Sequence, residues 1–222
     1  VSSPEVKITR NTLVLPNGNV VAVRAFSPRL FLQAYVATDY KDKRVFWVDG
    51  GGTAKIPGNN PAVIEYAQSS TRRFNLPKVT KIGHKDGNPV YALPEYACSL
   101  KKSNSYSAWC DYVEIRDTWD QVKLMDRDRG RGEWGYQLRE RLLDRLRERN
   151  KLPKGLYTAL TELSEACDAF GEDYSFQFMP STCATDHLGR LILLDVVYSP
   201  LLVEKHLRAQ AARRQSAHRS VW

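Results

Sequence analysis

Residues 172–200 read EDYSFQFMPSTCATDHLGRLILLDVVYSP, and the fold of the chain turns on this stretch. Acids stand at Glu172 and Asp173, an amide at Gln177, and Asp195 closes the apolar run LILLD. Acid, amide, hairpin, strand, acid is an order that can present a base and hard oxygen ligands from one short β-hairpin. Just upstream, PKGLYTALTELSEACDAF places Leu156, Leu160, Leu163 and Ala166 at helical intervals, which predicts a packed helix leading into the hairpin. The turn ATDHLGR separates the hairpin strands, and Asp186-His187 is read as part of that turn.

Moving towards the N-terminus, SAWCDYVEIRDTWDQVKL spaces Trp109, Tyr112, Ile115, Trp119 and Val122 as one core-facing helical stripe. Between these helices, residues 127–151 interleave arginines with acids, which predicts a solvated helix carrying intrahelical ion pairs. The first 56 residues are rich in strand signals instead. TLVLPNGNVVAV has two β-prone runs around Asn17-Gly18, and LFLQAYVATDY, RVFWVDGG and TAKI follow, giving four or five antiparallel strands. Pro61 opens a helix over PAVIEYAQSSTRRF, with Val63, Ile64 and Ala67 on its apolar face. KVTKIGHK and PVYALPEY then read as two strands around the turn DGN.

The composition is that of a folded protein, with 42% hydrophobic and 26% charged residues. Apolar runs are too short for a membrane span, and VSSPEVKITR has no signal-peptide core, so the expectation is a cytoplasmic protein. Cys98, Cys110, Cys167 and Cys183 are widely spaced, which argues against a zinc site or a disulfide framework. His84, His187, His206 and His218 have no ligand spacing, and GGGTAK lacks the spacing of a P-loop. A net charge of +8 favours acidic partners: nucleic acid, an acidic protein surface or a nucleotide. Part of that charge lies in the tail, residues 204–222, which is either a surface helix or a recognition element.

The order of elements resembles that of a protein kinase: a small sheet lobe with one helix, then a helical lobe whose catalytic hairpin follows a long helix. The pattern AYVATDYKDKRVFWV, NLPKVTKI, NPVYALPEY, EDYSFQFMP and GRLILLDVVYS resembles the early host-takeover Ser/Thr protein kinases of T7-like podophages. The resemblance spans roughly residues 24 to 200 and rests on several matches in the right order. It implies an α+β, kinase-like two-lobed fold: a β-rich lobe over 1–98, a helical lobe over 99–202 and a basic tail over 203–222. It also implies action in the host cytoplasm on host proteins, RNA polymerase or another large assembly among them, with no membrane association.

Laid on that family's loop motif, D-x-H-S-G-N-x-M, Ser175 and Met179 match. Glu172 falls at the catalytic base, with Asp173 as its substitute if the loop shifts by one residue, and Gln177 falls at the metal-binding Asn. Asp195 matches the metal-binding Asp, but Val196-Val197 follows it in place of the usual pair. Trp47 stands where the phosphate-binding lysine belongs; Lys55 is the alternative, with Glu65 as its helix partner. Phosphoryl transfer from ATP and Mg²⁺ needs that lysine, the metal ligands and an orienting carboxylate. A carboxylate displaced by one methylene is displaced by an ångström or so, which can cost roughly a hundredfold in rate. These departures favour a pseudokinase that works by binding. The alternatives are an active Ser/Thr kinase with a divergent site, and a nucleic-acid or RNA-polymerase-binding protein using the arginine-rich helix and basic tail.

Overall fold

The computed structural model describes residues 4–9, 11–26, 33–37, 44–48, 60–69, 75–94, 98–128, 135–171, 173–194, 196–201 and 208. It is a mixed α+β chain, with antiparallel strands first, three long helices at the centre and short strand pairs at the end.

Local turn chemistry sets the first part. β2 (Thr12–Val14) and β3 (Val20–Phe26) are joined through Asn17-Gly18, where Gly18 takes φ 83° and donates its N–H to Leu15 O at 2.9 Å. β4 (Gln33–Ala37) and β5 (Arg44–Val48) extend the antiparallel run. β6 (Thr80–Lys85) and β7 (Asn88–Pro94) form a tight hairpin at Asp86-Gly87, both at positive φ, as the favoured two-residue hairpin turn demands. With β1 (Lys7–Ile8), the strands make a seven-stranded sheet of order β1-β2-β3-β4-β5-β7-β6. The predicted strand TAKI lies outside the described residues.

The sheet does not end at β6. Val6 donates its N–H to His84 O at 2.7 Å, and His84 donates back to Pro4 O at 3.1 Å. That segment runs directly into β1, which pairs with β2, so one stretch of chain joins both edges and closes the strands into a small barrel. Gly83 makes the closure possible. It sits beside a register shift in β6, and a Cβ there would lie 2.8 Å from Val6 Cγ2 and closer still to Pro4 O. Val6, Leu13, Val21, Val23, Phe46, Val48, Val90 and Ala92 fill the interior.

β7 buries both faces, which explains its unbroken apolar run. Val90 and Ala92 enter the barrel, while Tyr91 and Leu93 join Val63, Ile64 and Ala67 of α1 (Asn60–Ser69) in the second core. That core continues through α2 (Tyr106–Asp128), α3 (Gly135–Arg149) and α4 (Lys154–Phe170). Along α4, Leu156, Leu160, Leu163 and Ala166 are buried as their spacing predicts, and the helix packs between α1 and α3. Of the five α2 residues expected in the core, four are buried; Trp109, in the first turn, is 40% exposed.

α3 departs further from its sequence reading. Its arginines and acids cover the outer surface, where Arg147 pairs with Asp144 and Arg149 with Glu114 of α2. Leu142, Leu143 and Leu146, together with Arg139, form a buried stripe that seats the helix in the larger core. No helix among the described residues is long and apolar enough to cross a membrane.

Candidate functional site

The stretch after α4 folds into two small sheets. Gly171 ends the helix, its N–H donating to Cys167 O at 3.0 Å. β9 (Ser175–Phe176) pairs with β12 (Val197–Tyr198), and β10 (Cys183–Thr185) pairs with β11 (Leu191–Leu193) and with β8 (Cys98–Ser99). Asp186 holds the β10–β11 turn: its carboxylate accepts from Leu188 N, Arg190 N and Arg190 Nε at 2.7–2.9 Å. Burial would raise the Asp186 pKa, but these bonds and the Arg190 charge outweigh it and leave the pKa below its ordinary value.

Between β9 and β10 lies the loop 177–182, Gln-Phe-Met-Pro-Ser-Thr. Thr182 closes it on itself. Its hydroxyl accepts from Met179 N at 3.1 Å and faces Met179 O at 2.9 Å and Gln177 O at 3.3 Å, while its N–H donates to Met179 O. Phe176 and Phe178 stack against each other and against Trp119 of α2, with ring centroids 5.5–6.2 Å apart. Leu194 N donates to Thr182 O at 3.0 Å and Gln177 N to Val196 O at 2.7 Å, so both ends of the loop are tied to the strand returning from β11.

A buried arginine holds the entrance to this region. Arg139 is fully inside, donating from Nε to Ser164 Oγ at 3.1 Å and from its two terminal nitrogens to Tyr174 O and Asp168 Oδ1. An unpaired guanidinium would be expensive there, and these three acceptors are what make it tolerable. One turn earlier, a Cβ on Gly135 would meet Asp173 O at 2.7 Å and Tyr174 O closer still, so the first turn of α3 rests directly on that backbone. Next to Arg139, burial pushes the Cys167 thiol up to about 12, with Arg139 opposing and Asp168 adding to the shift.

The residues expected to form a nucleotide site behave separately. Glu172, Asp195 and Lys55 lie outside the described residues. Asp173, just before β9, accepts a short hydrogen bond from Ser199 Oγ and so fastens the β9–β12 pair. Gln177 opens the loop with an exposed side chain. Glu65 on α1 accepts Lys81 N–H at 2.8 Å, tying the helix to β6. Trp47 lies on β5, opposite Ala34 and Tyr91 in the register. Among the described residues, no three or more His, Cys, Asp or Glu side chains gather as metal ligands would.

The sequence reading passed over Arg139, Thr182 and Ser199. Arg139 had a visible signal: with Leu142, Leu143 and Leu146 it occupies i, i+3, i+4 and i+7 of one helical stripe. Nothing in the sequence marks Thr182 or Ser199, whose partners come from the folded strands. No protein-family profile, curated protein or solved structure matches the chain.

Proposed function

We propose that this protein is a kinase-like effector that binds and modulates host proteins during phage infection, without phosphoryl transfer. The observation that carries the reading is the loop 177–182, which contains no carboxylate and no cation. Phosphoryl transfer needs a catalytic-loop carboxylate to orient the acceptor hydroxyl, and we take the loop between the strand after the long helix and the next hairpin strand as the counterpart of that loop. Here those strands are β9 and β10, and Glu172 and Asp173 both precede β9. Gln177, at the start of the loop, stands at the metal-binding amide position rather than at the base.

The element order supports the kinase-like part. Strands β3-β4-β5-β7-β6 neighbour one another with α1 inserted between β5 and β6, which fits the small lobe the resemblance implies. Then α4 leads into β9, the loop, the β10–β11 hairpin and β12, which returns to pair with β9. ATP and Mg²⁺, were they to bind, would depend on Lys55 and Asp195.

The test is incubation with labelled ATP and Mg²⁺ in the presence of a general Ser/Thr protein substrate, alongside Asp195→Ala. The expected result is no incorporation above the variant. Incorporation that Asp195→Ala abolishes overturns the proposal and restores the active kinase.

A further inference from the structure

The proposed function says that the protein acts by contact but not where. The exposed large apolar side chains answer that best at one place. Tyr106 is 81% exposed, Trp109 40% and Leu188 65%. Tyr106 and Trp109 lie in the first turn of α2, and Leu188 lies at the tip of the β10–β11 hairpin. Two hydrogen bonds hold these elements together: Ser105 Oγ donates to Gly189 O at 2.6 Å, and Thr185 Oγ1 donates to Ser103 Oγ at 3.0 Å. Gly189, at φ 73° in the turn, packs against Ser105, where a Cβ would come within 3.1 Å of Ser105 Oγ. Trp109 is braced by Tyr112, its ring centroid 5.5 Å away. The apolar groups are therefore presented on a preformed surface, and little ordering cost remains for binding.

Basic side chains lead into α2, and the carboxylate of Asp111 follows Trp109 by two residues. Lys101 and Lys102 precede α2 and are exposed, with no ion pair among the described residues. The carboxylate of the hairpin tip, Asp186, is consumed internally by Arg190 and two backbone N–H groups. An aromatic pair, an aliphatic tip and two exposed lysines complement an acidic segment carrying an apolar anchor. A nucleic acid fits less well, because strand binding draws on many cations along a groove, and two of the exposed arginines of α3, Arg147 and Arg149, are paired with Asp144 and Glu114.

We infer that the first turn of α2 and the tip of the β10–β11 hairpin form a docking surface for an acidic peptide segment of a protein partner, anchored by an aromatic or aliphatic side chain. The inference rests on the contact-based reading above, and it adds the place and the chemistry of the partner.

The full chain is immobilised and challenged with a displayed library of random peptides of about twelve residues. Enriched peptides are then titrated by fluorescence anisotropy against the native protein, Tyr106→Ala, Leu188→Ser and the pair Lys101→Ala, Lys102→Ala. The expected result is enrichment of net-negative peptides with a central apolar residue, weakened about tenfold or more by Tyr106→Ala and by Leu188→Ser. The lysine pair should chiefly lower the association rate and its salt dependence. Tyr106 and Leu188 are exposed, so these variants should keep native circular dichroism and melting. Enrichment without acidic character, or equal binding to the Tyr106 and Leu188 variants, overturns the inference. So does an oligothymidine strand that binds through Tyr106 where the peptides do not. Phosphoryl transfer is measured separately: its detection would sink the proposed function and leave the peptide result standing, whereas failed docking would leave the absence of phosphoryl transfer as it stands.

Discussion

The closure of the barrel can be tested with two glycines of β6 and its turn, one with a crowded Cβ position and one with an open one. Gly83 and Gly87 both take positive φ, at 155° and 78°. At Gly87 an added Cβ meets nothing within 4 Å, whereas at Gly83 it meets Val6 Cγ2 at 2.8 Å and the Pro4 carbonyl oxygen closer still. Gly87→Ala should therefore cost only the backbone term for a non-glycine residue in the left-handed region, about 1–2 kcal/mol. Gly83→Ala adds a collision with backbone, and the segment at residues 4–6 must move to relieve it. The move gives up the Val6 N–His84 O and His84 N–Pro4 O bonds, at roughly 0.5–1.5 kcal/mol each. It also uncovers part of Val6, which is 1% exposed, for up to about 1.5 kcal/mol more. Together with the backbone term, the total for Gly83→Ala is about 2–6.5 kcal/mol, roughly two to three times that for Gly87→Ala. Urea unfolding gives both values, and hydrogen exchange at the Val6 and His84 amides reports the opening directly. If Gly83→Ala costs no more than Gly87→Ala, or if those amides stay protected, the residue 4–6 segment does not seal the barrel.

Two further perturbations read other parts of the structure. Asp186 has a lowered folded pKa, so its contribution is present above its unfolded value near 3.8 and disappears as pH falls through the lower folded value. Asp186→Asn should cost about 1 kcal/mol at neutral pH in urea melts, and the gap from the native protein should close in strong acid; a gap that persists there would show the carboxylate charge to be irrelevant. The described cysteines should also separate by reactivity. Cys110 is exposed, whereas Cys167 is buried with its thiol pushed up to about 12 and Cys183 is buried, so iodoacetamide near neutral pH should label Cys110 alone of the three until the protein is unfolded, as peptide mass spectrometry would show.

What the sequence disclosed followed the range of the interactions involved. Asn17-Gly18 and Asp86-Gly87 were readable because the turn chemistry is written in adjacent residues. The helices α1, α2 and α4 were readable because their buried residues recur every three or four positions. Barrel closure was not readable, because residues 4–6 carry no alternating pattern and pair with a strand about eighty residues away. Arg139 was hidden for a different reason: an arginine among arginines and acids looks like solvent-facing charge, and its partners Ser164, Asp168 and Tyr174 lie on other elements.

For the candidate site, Glu172, Asp195 and Lys55 lie outside the described residues, and what the structure adds concerns register. The order acid, amide, hairpin, strand was visible, but β9 is a two-residue strand that falls between Asp173 and Gln177. Residue types alone do not show on which side of so short an element the acids fall. Asp173 is drawn instead to Ser199, where it fastens β9 to β12.

The loop itself bears on catalysis in a second way. Sites that perform chemistry tend to hold polar groups in arrangements that local folding does not favour, with the cost offset elsewhere. Residues 177–182 show the opposite character. Thr182 satisfies the backbone of Gln177 and Met179, Phe178 is buried in an aromatic cluster with Phe176 and Trp119, and the loop ends are bonded to Leu194 and Val196. The one buried side-chain polar atom without a partner among the described residues, Asp126 Oδ1, is on α2 rather than in this loop. Placing a carboxylate at Phe178 would bury a charge against Trp119, so a base cannot be regained there without taking the aromatic cluster apart. The loop is built to hold strands together, and that construction competes with the chemistry a kinase-type hairpin would require.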